Sequence, residues 1–199
     1  MVEPDRTQGR AACVSETQSS PPAALTGVLL VGGASSRFGS PKALARLRGE
    51  TLAERAWRTL GEACDERIAV GKGELALPFE VLVEPAEPQA PIAGVVAGLR
   101  AAAHDTAVFL PVDCPLVTPQ LLRELGEHAA VPQTGPLPGA YTKDDLPELE
   151  RRLASHDYTL RGVNLRVHQV DVRLLADVDS PDALSALEEH LAALDHQRA

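Results

Sequence analysis

One stretch carries most of the chemistry: Gly27-Val28-Leu29-Leu30-Val31-Gly32-Gly33-Ala34-Ser35-Ser36-Arg37-Phe38-Gly39-Ser40-Pro41-Lys42. An apolar run of strand type ends in a Gly-rich, hydroxyl-bearing loop with two cations, Arg37 and Lys42, in or just past it. Glycine lets backbone N–H groups approach a bound anion closely, and nearby cations neutralise its charge. The pattern reads as a phosphate cradle, although Gly and Ser also make ordinary turns. It is not a Walker A loop, because the spacing from Gly33 to Gly39 is too long and Ser40-Pro41 precedes the lysine. Nor does it contain the Gly-x-Gly-x-x-Gly of a dinucleotide fingerprint.

A second candidate is Asp113, which follows the apolar run Thr106-Ala107-Val108-Phe109-Leu110-Pro111-Val112. A carboxylate at the end of a buried strand is costly unless it is paired or bound to a cation. One carboxylate opposite a phosphate loop suits Mg²⁺, which keeps several waters and takes few protein ligands. The competing reading is an aspartate that caps the turn before Cys114-Pro115. Asp177 and Asp179 form a third group. They could complete a metal site, or simply begin the helix that Ser180-Pro181 announces, since acids favour a helix N-terminus. Glu84, at the end of a further strand, is left open as a site residue.

Other chemistries find little support. Ser35 and Ser36 have no base partner in the sequence pattern, so a hydrolase triad is not expected. Cys114 reads as a small buried residue rather than a nucleophile. The six histidines are scattered on polar segments and read as surface residues. Cys13, Cys64 and Cys114 match neither a zinc site nor a disulfide framework, which fits a reducing, cytoplasmic compartment. A net charge of −9 and 3% aromatic content disfavour nucleic acid and anionic membrane as partners. Residues 37 to 58 are locally basic, which points to a small anionic ligand.

The elements that must position these residues alternate. With 199 residues the length prior is one domain. Residues 1–24 are polar and read as a disordered tail, leaving 25–199 as the folded domain. Strands are expected at about 26–31, 67–70, 80–83, 106–112 and 169–172, with a short one at Ala140-Tyr141. Thr51 and Glu54 form a capping box opening a helix that runs to about Cys64. Pro91 opens another, and Thr118-Pro119 a third, as N-cap and first helical residue. A Pro/Gly-rich loop is expected over 131–139, then helices from Asp144, over about 159–166, and after Pro181. Alternation of this kind gives an α/β three-layer fold with a mostly parallel central sheet. Ligands of such sheets sit at the carboxyl ends of the strands, where both special loops lie.

With these residues in view, the chain resembles the molybdenum cofactor guanylyltransferase family, within the Rossmann-like nucleotidyltransferases. The family's opening Leu-Ala-Gly-Gly-x-Ser-x-Arg-Met-Gly-x-Asp-Lys is matched by Leu30 to Lys42. Its Gly-Pro-Leu-Ala-Gly is matched by Ala90-Pro91-Ile92-Ala93-Gly94, and its Cys-Asp-x-Pro by Val112-Asp113-Cys114-Pro115. Its Asn-x-Asn-Thr-Pro-Glu-Asp ending is matched by the run that starts Asp177-Val178-Asp179-Ser180-Pro181-Asp182. The resemblance implies transfer of GMP from GTP to the terminal phosphate of molybdopterin, releasing pyrophosphate, with Mg²⁺ as cofactor. It implies that Leu30, Val31, Gly32 and Gly33 hold base and phosphates through their backbone. Arg37 and Lys42 would neutralise the triphosphate, and Asp113 would hold the metal. Transient contact with molybdoenzymes or pathway enzymes belongs to the same implication. Gly71 and Pro85 stand where the family has Asn and Asp. Asp177 and Asp179 resemble the ending of cytidylyl-transferring relatives, whereas Gly32-Gly33 matches the guanylyl type. CTP as donor, another acceptor phosphate, or a non-catalytic nucleotide-binding relative remain the alternatives.

Overall fold

The structure is a computed structural model that describes residues 23–32, 38, 41–73 and 75–198. Most of the expected tail, and Gly33 and Arg37 of the opening loop, therefore lie outside the described residues. In chain order the elements are β1 (Leu25–Leu30), a 3₁₀ turn at Lys42–Leu44, the two-residue strands β2 (Arg46–Leu47) and β3 (Glu50–Thr51), and α1 (Leu52–Ala63). Then come β4 (Glu66–Gly71), β5 (Val81–Val83), α2 (Pro91–Ala101), β6 (Thr106–Pro111), α3 (Pro119–Glu127), β7 (Val131–Pro132) and β8 (Gly139–Thr142). A 3₁₀ turn (Lys143–Asp145) leads into α4 (Leu146–Ala154), followed by β9 (Val167–His168), a 3₁₀ turn (Val172–Leu175) and α5 (Pro181–Arg198).

The main sheet has five strands in the order β5-β4-β1-β6-β8. β1 pairs in parallel with β4 and β6, and only β8 runs antiparallel. β1 is buried along its whole length, which explains its mainly apolar character: a parallel strand covered on both faces has no polar side, and its one polar side chain, Thr26, donates its hydroxyl to the Glu66 carboxylate. Alternate residues divide between two cores. Leu25 and Leu29 pack with Leu52, Leu60, Leu121 and Leu125 of α1 and α3. Val28 and Leu30 pack with Ile92, Val95, Leu99 and Leu149 of α2 and α4. The result is the expected three layers. The strand order switches at β1, since the chain moves to β4 and β5 on one side and to β6 on the other, and such a switch opens a crevice at the carboxyl edge.

Local signals set the helix starts. The Thr51 hydroxyl accepts from the Glu54 N–H and the Glu54 carboxylate accepts from the Thr51 N–H, a complete capping box. Thr118 caps α3 with Pro119 at the first turn. The lone Trp57 packs at the edge of the core and stacks on Phe79, with ring centroids 4.2 Å apart.

Three expectations are corrected. Residues 159–166 form no helix: Gly162 adopts φ +78° at the tip of a turn closed by an Arg161–Asn164 bridge, and Asn164 donates to the Ala129 and Ala140 carbonyls. The strand expected at 169–172 is displaced to β9, which pairs with β7 inside the expected 131–139 loop. Asp171 instead caps the 3₁₀ turn that follows, accepting from the Arg173 N–H.

Candidate active site

A cleft of about 1070 Å³ opens at the carboxyl ends of β1, β4, β5 and β6. Leu30, Val31 and Gly32 form its floor, and Lys42, Lys72, Glu84, Gly94, Asp113, Asp177 and Asp179 face it from the surrounding loops.

The backbone of Leu30 and Val31 is largely committed to the sheet. The Val31 N–H donates to the Val70 carbonyl at 2.9 Å, and the Leu30 carbonyl accepts from the Val112 N–H at 3.1 Å. The amide of Val31 is thus engaged by the sheet, and its carbonyl makes no backbone hydrogen bond to a strand neighbour among the described residues. Gly32 lies where the chain leaves β1. A Cβ there would stand 3.3 Å from the Lys72 amide nitrogen and 3.4 Å from Glu84 Oε1. Gly94, in the first turns of α2, also faces Glu84, and a Cβ on it would strike Leu30 Cδ2 at 2.9 Å. This wall of the cleft is backbone with no side chain, which suits close approach of a flat ligand.

On the other side three distant segments meet. Lys42 sits on the 3₁₀ turn anchored by buried Ala43. Asp113 follows β6. Asp177 and Asp179 come from near the end of the chain and are brought in by Val178, a buried residue whose N–H donates to the Asp113 carbonyl at 2.8 Å. Lys42 Nζ lies 3.1 Å from Asp113 Oδ2 and 2.8 Å from Asp179 Oδ1, and 5.6 Å from the centroid of the Phe38 ring. Burial of the ammonium opposes its charge, but the hydrogen bonds and charges of Asp179 and Asp113 together outweigh it and raise the Lys42 pKa above the ordinary lysine value.

The cation held between two carboxylates shows what this corner favours. Its donors are hard oxygens that could take Mg²⁺ with triphosphate oxygens completing the shell. Among the described residues no three His, Cys, Asp or Glu side chains form a metal-holding group by themselves. A site using one or two carboxylates plus substrate oxygens matches that count; a preassembled Asp113–Asp177–Asp179 cage does not.

Cys114 is buried, with its Sγ 3.8 Å from Asp113 Oδ1. Desolvation first, then the charges of Asp113 and Asp177, push its thiol far above the usual range. It is a packing residue rather than a nucleophile.

Sequence reasoning left Glu84 open and missed Lys72. Glu84 is 8% exposed, and its N–H donates to the Gly71 carbonyl at 2.9 Å. Among the described residues its Oε2 has no hydrogen-bond partner. Burial raises its pKa, and the Lys72 charge works against that shift. The readable signal was a carboxylate directly after a short apolar strand. Lys72 gave none, because its partners are backbone carbonyls.

An α/β sheet with a glycine wall and a lysine–carboxylate corner at its switch point suits a nucleotide and its phosphates. Residues 27–170 match the family described as the MobA-like NTP transferase domain, and the chain belongs to that family. A probable molybdenum cofactor guanylyltransferase of Chloroflexus aggregans is 28% identical over 197 residues, covering 84% of this chain and 95% of that protein. A protein of the same description from Opitutus terrae is 35% identical over 170 residues, covering 77% and 84%. Among solved structures, the molybdopterin-guanine dinucleotide biosynthesis protein A of Archaeoglobus fulgidus superposes with a TM-score of 0.70 at 22% identity, covering 84% of this chain and 99% of that one. At that identity the likeness concerns the fold. Among the described residues no helix is long and apolar enough to cross a membrane.

Proposed function

We propose that the protein transfers GMP from GTP to the terminal phosphate of molybdopterin, releasing pyrophosphate and forming the guanine dinucleotide cofactor. The observation that carries this reading is the two-sided cleft, with a glycine wall and a buried carboxylate on one side and Lys42 between Asp113 and Asp179 on the other. The descriptions of the relatives support the acceptor and the donor.

The nucleoside lies against Gly32 and Gly94. Ionised Glu84 supplies two acceptor oxygens there, which suits guanine, whose Watson–Crick edge carries N1–H and N2–H donors side by side. Cytosine offers one donor and two acceptors on that edge, and a carboxylate would repel the latter. Lys42, with Arg37 from the same loop, neutralises the triphosphate and the pyrophosphate as it departs. Asp113, with Asp179 beside it, would hold Mg²⁺, which supplies further charge neutralisation on phosphate oxygens. The nucleophile is already an anionic phosphate oxygen. It attacks the α-phosphorus in line while the bond to the bridging oxygen of pyrophosphate breaks, so the protein need supply no base. Catalysis is then positioning and electrostatic stabilisation.

The test measures pyrophosphate released with molybdopterin, Mg²⁺ and each of GTP, CTP, ATP and UTP. A preference for GTP is expected. A clear preference for CTP, the reading that Asp177 and Asp179 favour, would sink the guanylyl assignment. Triphosphate binding with no pyrophosphate would mark a non-catalytic relative.

A further inference from the structure

Lys72 stands just past the end of β4 and faces the cleft. A lysine in such a place would ordinarily be assigned to a phosphate, but its hydrogen bonds point elsewhere. Nζ donates to the Pro85 carbonyl at 2.7 Å and to the Pro88 carbonyl at 2.8 Å. Two of the three ammonium donors are thereby committed to backbone. Pro85 and Pro88 have no N–H of their own, and Lys72 ties both of their carbonyls to the end of β4.

The same ammonium is 3.8 Å from Glu84 Oε2. From β1 and α2 the Glu84 carboxylate is met by Gly32 and Gly94, which bring no charge. Lys72, from the end of β4, is the charged group paired with it among the described residues.

We propose that Lys72 is a positioning residue for the nucleoside: it latches the loop that follows Glu84 and holds the Glu84 carboxylate in place as an ionised acceptor for ligand donors. The inference rests on the nucleotide reading above for the identity of what binds there. It assigns Lys72 no contact with the phosphates, which fall to Lys42.

The test uses the full chain with substitutions Lys72→Met, Lys72→Gln, Lys72→Arg and Glu84→Gln, and the double change Lys72→Met with Glu84→Gln. Affinity is read by titration with a fluorescent guanosine triphosphate analogue and by steady-state KM and kcat. Lys72→Met is expected to weaken nucleotide affinity about tenfold, a coupling of the size seen for contacting polar groups, with kcat changed less than about twofold. The loss should be larger near pH 6 than near pH 9, because Glu84 without its cation ionises only at higher pH. Lys72→Arg should restore most of the affinity, and in the Glu84→Gln background Lys72→Met should lose its pH-dependent part and keep only the smaller loss due to the loop. Lys72→Gln keeps a donor for the proline carbonyls without the charge. If Lys72→Met does not fold, Lys72→Gln should reproduce the pH-dependent loss. A fall in kcat at constant KM, independent effects of the two single changes, or a loss insensitive to pH would each overturn the proposal. Wild-type protein that binds no nucleoside triphosphate would sink the nucleotide reading as well. Wild-type binding with unaltered affinity in Lys72→Met would sink the latch alone.

Discussion

Replacing Lys42 by methionine keeps the aliphatic stem and removes the ammonium that bridges Asp113 and Asp179. At 3.1 Å from Asp113, with an effective dielectric near 20, the gross attraction is roughly 5 kcal/mol. Most of that is offset by the cost of withdrawing the ammonium from water, since the Lys42 side chain is 14% exposed. Asp179 is 58% exposed, so solvent screens its share strongly. The net loss of stability should be about 1 kcal/mol, a fall in Tm of about 2–4 °C for a chain of this size. The kinetic loss should be much larger. A preorganised cation aimed at developing phosphate charge resembles an oxyanion-hole donor, whose removal costs about 10²–10³ in kcat. Thermal unfolding and pyrophosphate release on the same preparation separate the two effects. The pair also has a pH signature. The folded Lys42 pKa is raised above the ordinary lysine value of 10.5, so its contribution to stability is complete below that value and is lost as pH rises through the folded pKa. Wild type and variant should therefore converge in Tm only in strongly alkaline solution. Retention of more than about a tenth of the wild-type rate, roughly 1.4 kcal/mol of barrier, would refute the role given to Lys42. A collapse of the fold with loss of Tm far beyond that range would show that the pair is structural first.

Two further outcomes follow from residues away from that pair. Glu84→Gln removes a buried carboxylate whose Oε2 has no hydrogen-bond partner among the described residues and should raise stability by about 1 kcal/mol at neutral pH while weakening nucleotide binding. Because the folded pKa of Glu84 is raised, wild type regains stability as pH falls, and the difference in Tm should close below the ordinary glutamate value of 4.5; a constant difference would contradict this. Thr51→Ala breaks the capping box of α1 and should cost about 1 kcal/mol, measured by urea unfolding, with kcat unchanged.

The fold was legible wherever a local cause set it. The apolar run of β1 had to be covered on both faces, the Thr51–Glu54 box fixed the start of α1, and Thr118-Pro119 fixed that of α3. The reading failed at 159–166, where a short helix was expected. There Gly162 takes a positive φ and Asn164 satisfies two carbonyls from other segments, a tertiary arrangement without a local sequence mark. β7 and β9 are two residues each and exist only as each other's partner. In the site, the candidates Lys42 and Asp113 are in contact, as expected for one crevice. That Asp179 joins them from 137 residues away could not be read from spacing, and neither could the donation of Lys72 to proline carbonyls.

That separation bears on how the protein is made. Every strand of the main sheet lies before Lys143, so a nascent chain can complete its sheet while Asp179 is still being synthesised or threaded out of the ribosome. Lys42 and Asp113 would then meet without their third partner. The segment that brings Asp179 precedes α5, whose Glu188 and Asp195 accept hydrogen bonds from Arg48, in the ribbon just beyond Lys42. Docking of α5 against Arg48 and closure of the charged corner thus both require chain made after the sheet. Maturation of the candidate site waits on a segment made after the sheet, and a fragment truncated before Asp171 would keep every strand of the main sheet yet lack Asp179.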